Sequence, residues 1–177
     1  MATKDLVIVE SPTKARTITK ILGATYDVTS SMGHLRDLPA SRLGVDVERD
    51  FKPQYITIQK RRKVAKQVQQ QARDRAAVYL APDPDREGEA ISWHLAALLA
   101  EDEAAQARRR VKPAKGGKSP SSSRRGDHRR PRKIYRITFH EITPQAVKAA
   151  LEHPRNIDLR KVNAQQARRI LDRLLGY

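Results

Sequence analysis

The chain has 177 residues, enough for one domain with its own hydrophobic core. Its 36 Lys and Arg residues exceed its 20 Asp and Glu residues, giving a formal net charge of +16, so nucleic acid is the expected partner, ahead of an anionic membrane. The absence of cysteine excludes disulfides and cysteine-liganded zinc, and no apolar run is long enough to cross a membrane, so we expect a soluble, cytoplasmic protein.

Strand and helix signals alternate along the chain. We predict a strand over residues 5–10, a helix from Ser11 to Gly23, a strand over 26–30, an ordered loop over 31–54, a strand over 55–58 and a helix over 61–75. A strand over 76–81, a helix from about Arg86, a strand over 134–139 and helices from Thr143 and Asp158 complete the prediction. This alternation predicts an α/β fold with a mainly parallel sheet covered on both faces.

The positive charge is concentrated in one segment. Residues 104–133 contain twelve basic side chains and one acidic side chain, which leaves a net charge of only +5 for the rest of the chain. Gly, Ser and Pro are frequent there and large apolar residues are almost absent, so we predict a disordered basic insertion over about 101–132. It either binds DNA loosely through counterion release or serves as a solvated linker.

A set of carboxylates follows the strand predicted over 76–81. Asp83, Asp85 and Glu87 lie where this strand gives way to a helix, and Glu10 ends the first strand, so a parallel sheet would bring all four to one edge. Crowded carboxylates repel one another unless a cation lies among them, and a donor set of oxygens alone selects Mg²⁺ or Mn²⁺. Alternatively, the acids only stabilise the N-terminus of the following helix through the helix dipole. One or two acids would be enough for that role, and the sequence has three together with Glu10.

Several motifs, in this order, resemble the Toprim domain of bacterial DNA topoisomerase I, a type IA enzyme. The similar segments are Glu10 with residues 11–15, residues 31–39, 83–89, 139–143 and 162–177. The resemblance covers nearly everything outside residues 101–132. It implies a Rossmann-like Toprim domain over residues 1–157 and a helix over 158–177 that leads towards downstream domains.

The resemblance also implies an activity and its residues. The family cleaves and religates single-stranded DNA by Mg²⁺-dependent, ATP-independent transesterification and so relaxes negative supercoils; Mn²⁺ is a possible substitute. Glu10, Asp83, Asp85 and Glu87 would hold the metal, and Glu10, Lys14 and Arg168 would be catalytic. The residues that would contact DNA are His34, Arg136, Arg168, Arg169, Asp172, Arg173 and Tyr177.

The chain departs from the family in its tyrosines. The family's nucleophile is a tyrosine in a separate downstream domain, and none of the five tyrosines here has that context. We therefore expect a monomeric Toprim fragment of the bacterial, nucleoid-associated cytoplasm that binds Mg²⁺, single-stranded or negatively supercoiled DNA and the remaining topoisomerase domains, but does not relax DNA alone. The alternatives are a free-standing Toprim nuclease or primase-like protein, which the sequence at 164–177 disfavours, and a non-catalytic nucleic-acid-binding protein.

Overall fold

The computed structural model describes residues 3–111 and 131–176. In chain order the elements are β1 (Asp5–Val9), α1 (Pro12–Leu22), β2 (Tyr26–Ser30), β3 (Arg36–Asp37), β4 (Val45–Asp46), β5 (Lys52–Pro53), β6 (Ile56–Thr57), α2 (Arg62–Ala72), β7 (Ala77–Leu80), α3 (Arg86–Val111), β8 (Lys133–Arg136), α4 (Pro144–Glu152) and α5 (Leu159–Gly176). Short 3-10 turns precede β5 and α2. No helix within the described ranges is long and apolar enough to cross a membrane.

The central sheet has four parallel strands in the order β2-β1-β7-β8. Val7 lies opposite Val28 on one side and Tyr79 on the other, so β1 is an interior strand. The predicted α/β fold with a mainly parallel sheet is confirmed. Because parallel strands share one carboxyl edge, the residues that follow β1 and β7 are neighbours, which places Glu10 beside the acids at 83–87.

Helices cover both faces of the sheet. Along β1, Leu6 and Ile8 face α2 and α3, while Val7 and Val9 face α1 and α4, and all four side chains are almost fully buried. This continuous apolar run is typical of a parallel strand buried on both sides. The helix α5 packs against α3, and its residues Lys161, Gln165 and Arg168 lie next to the acidic edge.

Local capping signals define the helices next to the site. The Ser11 hydroxyl accepts a hydrogen bond from the Lys14 N–H, Pro12 occupies the first turn of α1, and Gly23 ends the helix with φ of +61°. The Thr143 hydroxyl caps α4 in the same way by accepting from the Ala146 N–H. Both helix starts were predicted from these residues.

The loop predicted over 31–54 contains more regular structure than expected. Three short strands form there: β4 pairs with β5, and β3 pairs with β6, which lies in the strand predicted over 55–58. Two-residue strands give no period-2 pattern that could be recognised in the sequence. The last sheet strand is shorter than predicted, since β8 ends at Arg136, where an isolated bridge to Arg155 begins.

The prediction of a disordered insertion over 101–132 was wrong for its first part. The helix α3 continues through residues 101–111, whose Ala, Glu, Gln and Arg residues favour helix even though they cannot form a core. Arg108, Arg109 and Arg110 occupy the last turn of α3, where basic side chains interact favourably with the helix dipole. Residues 112–130 lie outside the described residues.

Candidate active site

A lysine lies between two of the predicted carboxylates. Lys14 is in the first turn of α1, and its Nζ is 3.0 Å from Glu10 Oε1 and 2.8 Å from Asp83 Oδ1. Its side chain is only 9% exposed, and its Nζ lies 5.1 Å from the centroid of the Phe139 ring. The ammonium group therefore joins the ends of β1 and β7 at the carboxyl edge of the sheet.

The other two acids each bond to a different donor. Asp85 Oδ1 accepts a hydrogen bond from the Gly88 N–H at 2.7 Å, and Glu87 Oε2 lies 2.9 Å from His34 Nε2. Among the described residues, no group of three His, Asp or Glu side chains is spaced to hold a metal ion. The predicted convergence of Asp83, Asp85 and Glu87 is thus not found in this arrangement, because separate donors relieve the repulsion between the carboxylates.

The donors at this edge nevertheless suit a hard cation. Glu10 Oε2 is buried and has no hydrogen-bond partner in the described part of the chain, while Oε1 of the same carboxylate bonds to Lys14. An unpaired buried carboxylate oxygen is costly, and a divalent cation would satisfy it. The four predicted ligands supply only carboxylate oxygens, which is the donor chemistry that Mg²⁺ and Mn²⁺ prefer.

The prediction that Arg136 contacts DNA was wrong. Its side chain is 0% exposed, because the guanidinium lies beneath the turn between β7 and α3. It donates to the carbonyl oxygens of Leu80 (3.2 Å), Pro82 (2.6 Å) and Asp83 (2.6 Å), and its Nε donates to Glu89 Oε1 at 3.0 Å. Arg136 therefore positions the backbone that carries the acids.

Glu89 is the buried counter-ion of this arginine. It also accepts hydrogen bonds from Arg155 and from the Asp158 N–H. Burial alone would raise the pKa of Glu89, but the hydrogen bond from Arg155 and the charge of Arg136 outweigh burial and lower it, so the carboxylate is ionised. Glu89 thereby ties the start of α3 to β8 and to the segment before α5, a role that the sequence analysis missed.

Gly88 is a second residue that the sequence analysis missed. A Cβ at this position would lie 1.8 Å from the carbonyl oxygen of Asp83, closer than any side chain can approach. Only glycine therefore allows the first turn of α3 to pack this closely against the Asp83 backbone. The available signal was a glycine within the first turn of a predicted helix, where glycine is otherwise unfavourable.

Arg168 lies beside the acidic turn, while its predicted catalytic role stays a prediction. With Gln165 it lines a surface cavity of about 350 Å³ whose other residues are Asp85, Arg86 and Glu87. The Arg168 side chain is exposed. In this cavity, an anionic ligand would be attracted by the Arg168 guanidinium and repelled by the carboxylates of the acidic turn.

The neighbouring arginines of α5 bind the end of β3 and the loop that follows it. Arg169 forms two 2.9 Å hydrogen bonds with the Asp37 carboxylate, and Arg173 Nη1 donates to the carbonyl oxygens of Pro39 and Arg42. Burial would raise the pKa of Asp37, but the bond from Arg169 and other contacts lower it overall.

The remaining α5 predictions have different outcomes. Asp172 is exposed and has no ion pair within the described residues. Its charge helps to raise the pKa of Arg169, after the larger effect of the Asp37 bond. Tyr177 lies outside the described residues. DNA contact by Arg168, Arg169, Asp172, Arg173 and His34 stays a prediction.

The ring of His34 packs against a group of buried and half-buried rings. The rings of His34 and His94 are 6.2 Å apart, and Tyr55 packs edge-on against His94 at 4.6 Å. Burial lowers the pKa of His94 to about 3, with a smaller effect from Arg36, so this imidazole is neutral. Burial also raises the pKa of Tyr55 to about 12. His94 is thus part of the packed support and is too buried to contact DNA.

Comparison with known proteins agrees with this fold. The Toprim domain family matches residues 5–115, well over half of the chain. The chain therefore belongs to the Toprim family.

A solved structure extends this likeness beyond the family match. The chain is similar to full-length topoisomerase I from Thermotoga maritima, with 40% sequence identity and a TM-score of 0.73 over 96% of this chain. The chain spans 24% of the length of that protein. The resemblance drawn from the sequence motifs is confirmed.

Proposed function

We propose that this chain is the Toprim module of a type IA DNA topoisomerase. It would support Mg²⁺-dependent, ATP-independent cleavage and religation of single-stranded DNA, with the nucleophilic tyrosine supplied by another domain. The observation that carries this proposal is the bridge from Lys14 to Glu10 and Asp83 at the carboxyl edge, next to the rest of the acidic turn. The similarity to topoisomerase I supports the same conclusion.

The proposed reaction exchanges one phosphoester for another. The tyrosine oxygen bonds to phosphorus and loses its proton, while the bond from phosphorus to the 3′ oxygen of DNA breaks and that oxygen gains a proton. Lys14 Nζ is already at the end of β1 and would donate to a non-bridging phosphate oxygen as negative charge develops there. Glu10 has one carboxylate oxygen without a hydrogen-bond partner among the described residues, and this oxygen would either bind the metal or hold and return a proton at the 3′ oxygen.

The acidic turn would hold the metal. A divalent cation bound by Glu10, Asp83, Asp85 and Glu87 would neutralise phosphate charge and orient the leaving oxygen. Arg168 would bind the adjacent phosphate from its side of the cavity, and His34 would orient Glu87 through their 2.9 Å contact. The partners in this proposal are single-stranded or negatively supercoiled DNA and the other domains of the same enzyme, in the bacterial cytoplasm.

A Mg²⁺ titration by calorimetry tests the proposal. We expect saturable binding to the chain that is lost in the double variant Asp83→Ala/Asp85→Ala. The matched control is Glu48→Ala/Glu152→Ala, which removes two exposed carboxylates elsewhere and should leave binding unchanged. Equal binding by the three proteins would refute the metal site. Nicking of DNA by the chain alone would instead favour the free-standing nuclease.

A further inference from the structure

A second cationic surface lies outside the acidic site. Residues 51–73 contain seven basic residues and no acidic residue, and five of the seven are clustered within residues 60–66. These five form the α2 basic cluster: Lys60, Arg61, Arg62, Lys63 and Lys66. Four of them are exposed and Arg61 is half-buried.

The side chains of the α2 basic cluster have no partner within the described part of the chain. None of them forms a hydrogen bond or an ion pair there. Basic residues nearby behave differently: Arg73 binds Asp102 through two hydrogen bonds, and Arg75 binds Asp27 at 2.6 Å. The cluster is therefore a concentration of uncompensated positive charge.

The location of the cluster is unfavourable for the stability of α2. Its members occupy the turn before α2 and the first turns of the helix, where the positive end of the helix dipole repels cations. The first turn contains no acidic residue, and the N-cap Arg61 makes no capping bond with its side chain. Since helix stability does not explain this placement, an external anion is the better explanation.

The cluster begins close to the proposed active site. The Ile58 N–H, two residues before Lys60, donates to the Leu35 carbonyl oxygen at 2.9 Å. Leu35 directly follows His34, which contacts Glu87 of the acidic turn. A nucleic acid held at the acidic turn could therefore extend onto the cluster.

We infer that the α2 basic cluster binds the sugar–phosphate backbone of double-stranded DNA beside the strand held in the active site. This inference rests on the proposed function. Binding to single strands typically uses aromatic side chains on which bases stack, and residues 56–73 contain no aromatic residue. The other exposed side chains on this face of α2, Gln67 and Gln70, are amides that can donate to phosphate oxygens.

The test compares two triple variants of the full chain. The first, Arg62→Gln/Lys63→Gln/Lys66→Gln, neutralises the exposed face of α2. The matched control, Arg16→Gln/Lys20→Gln/Lys148→Gln, neutralises three exposed cations on the helices of the opposite sheet face that form no ion pair with any described residue. Binding to a short blunt DNA duplex is followed by fluorescence anisotropy over a salt series, with EDTA present. Residues 104–133 are identical in both variants and contribute a common background.

We expect the α2 variant to bind the duplex more weakly and to reduce the slope of log K against log salt by about 2.7, or about 0.9 per lost phosphate contact. The control should change the slope much less. Thermal unfolding should show that the α2 variant is at least as stable as the wild type, because it removes cations from a helix N-terminus.

Three results would overturn the inference. The first is an equal loss of duplex affinity in the α2 variant and the control variant. The second is a loss of affinity of the α2 variant for a single-stranded oligonucleotide that is as large as its loss for the duplex. The third is an unchanged salt slope for the duplex together with lost binding of the α2 variant to phosphatidylserine vesicles. The assay does not depend on the proposed catalytic role, because it contains no Mg²⁺. If Asp83→Ala/Asp85→Ala failed to alter Mg²⁺ binding, the catalytic proposal would fall while the duplex result stood.

Discussion

Replacing the buried Arg136 with methionine is expected to destabilise the fold and to disturb the acidic turn. Methionine fills a similar volume but donates no hydrogen bond. It would leave Glu89 without its fully buried partner, and the carbonyl oxygens of Pro82 and Asp83 without their donor. Because the exposed fraction of the Arg136 side chain is 0%, water cannot take its place without opening the core.

The expected loss is about 4 kcal/mol in the free energy of unfolding, the usual cost of removing one member of a buried ion pair. For a chain of this length, that loss corresponds to a fall in Tm of about 12 °C. Arg136→Lys should recover only part of the loss, since an ammonium group cannot reproduce a guanidinium that binds several carbonyl oxygens at once. The double variant Arg136→Met/Glu89→Met should be less destabilised than the sum of its single variants, because it leaves no buried charge unpaired.

Urea unfolding followed by circular dichroism measures these free energies. The control is Arg160→Met on α5. The Arg160 side chain is exposed and bonds to none of the residues in the described ranges, so the effect of this change should be small. Mg²⁺ titration of Arg136→Met should show weaker binding, although Arg136 is not a ligand. A loss below about 1 kcal/mol, typical of exposed ion pairs, would refute the structural role assigned to Arg136.

Three further predictions concern other parts of the site. Gly88→Ala should lower the free energy of unfolding by about 3 kcal/mol, because its Cβ would overlap the Asp83 carbonyl oxygen and force the turn to shift; thermal unfolding measures this. Asp37→Asn should cost about 1 kcal/mol at neutral pH by weakening the half-exposed pair with Arg169. Folding lowers the pKa of Asp37, so its contribution to the free energy of unfolding is complete above the unfolded pKa of about 3.9. This contribution is lost as the pH falls through the folded pKa. The urea unfolding curves of the variant and the wild type should therefore converge in acid. The His94 ring should stay neutral in NMR titrations from neutral pH down to about pH 5.

Each of these predictions has a result that would contradict it. Gly176→Ala, at a position where an added Cβ meets nothing within 4 Å, is the control for Gly88→Ala, and equal effects would exclude the proposed overlap. A difference between Asp37→Asn and wild type that persists undiminished in acid would show that the ion pair is not its cause. A titration midpoint near neutrality for His94 would mean that its ring reaches water.

The sequence was sufficient to predict the fold because its signals are local. The run that forms β1, the Ser11 cap and the acids after β7 each lie within a few consecutive residues, and the order of strands and helices then predicts a parallel sheet. The partners of the site residues are not local. Glu89 meets Arg136 across 47 positions, and Arg169 meets Asp37 across 132. No periodicity encodes such pairings, so Arg136 was wrongly assigned to the DNA surface.

The acidic turn has a fixed backbone and less restrained carboxylates. Its backbone is held by Arg136 at the carbonyl oxygens of Pro82 and Asp83, and by Lys161, whose Nζ donates to the Pro84 carbonyl oxygen at 2.9 Å. By contrast, the side chains of Asp83 and Glu87 are 58% and 63% exposed.

Among the described residues, Asp83 bonds through its carboxylate only to Lys14, and Glu87 only to His34. If the proposed cation binds here, rotation about side-chain bonds would have to turn the Asp83 and Glu87 carboxylates towards it, and their exposure leaves room for such rotation. The same rotation would release the Lys14 ammonium from Asp83 and leave it free to bind a phosphate oxygen. In the proposed function, metal binding and phosphate binding would therefore be coupled through Lys14, which contacts both Glu10 and Asp83.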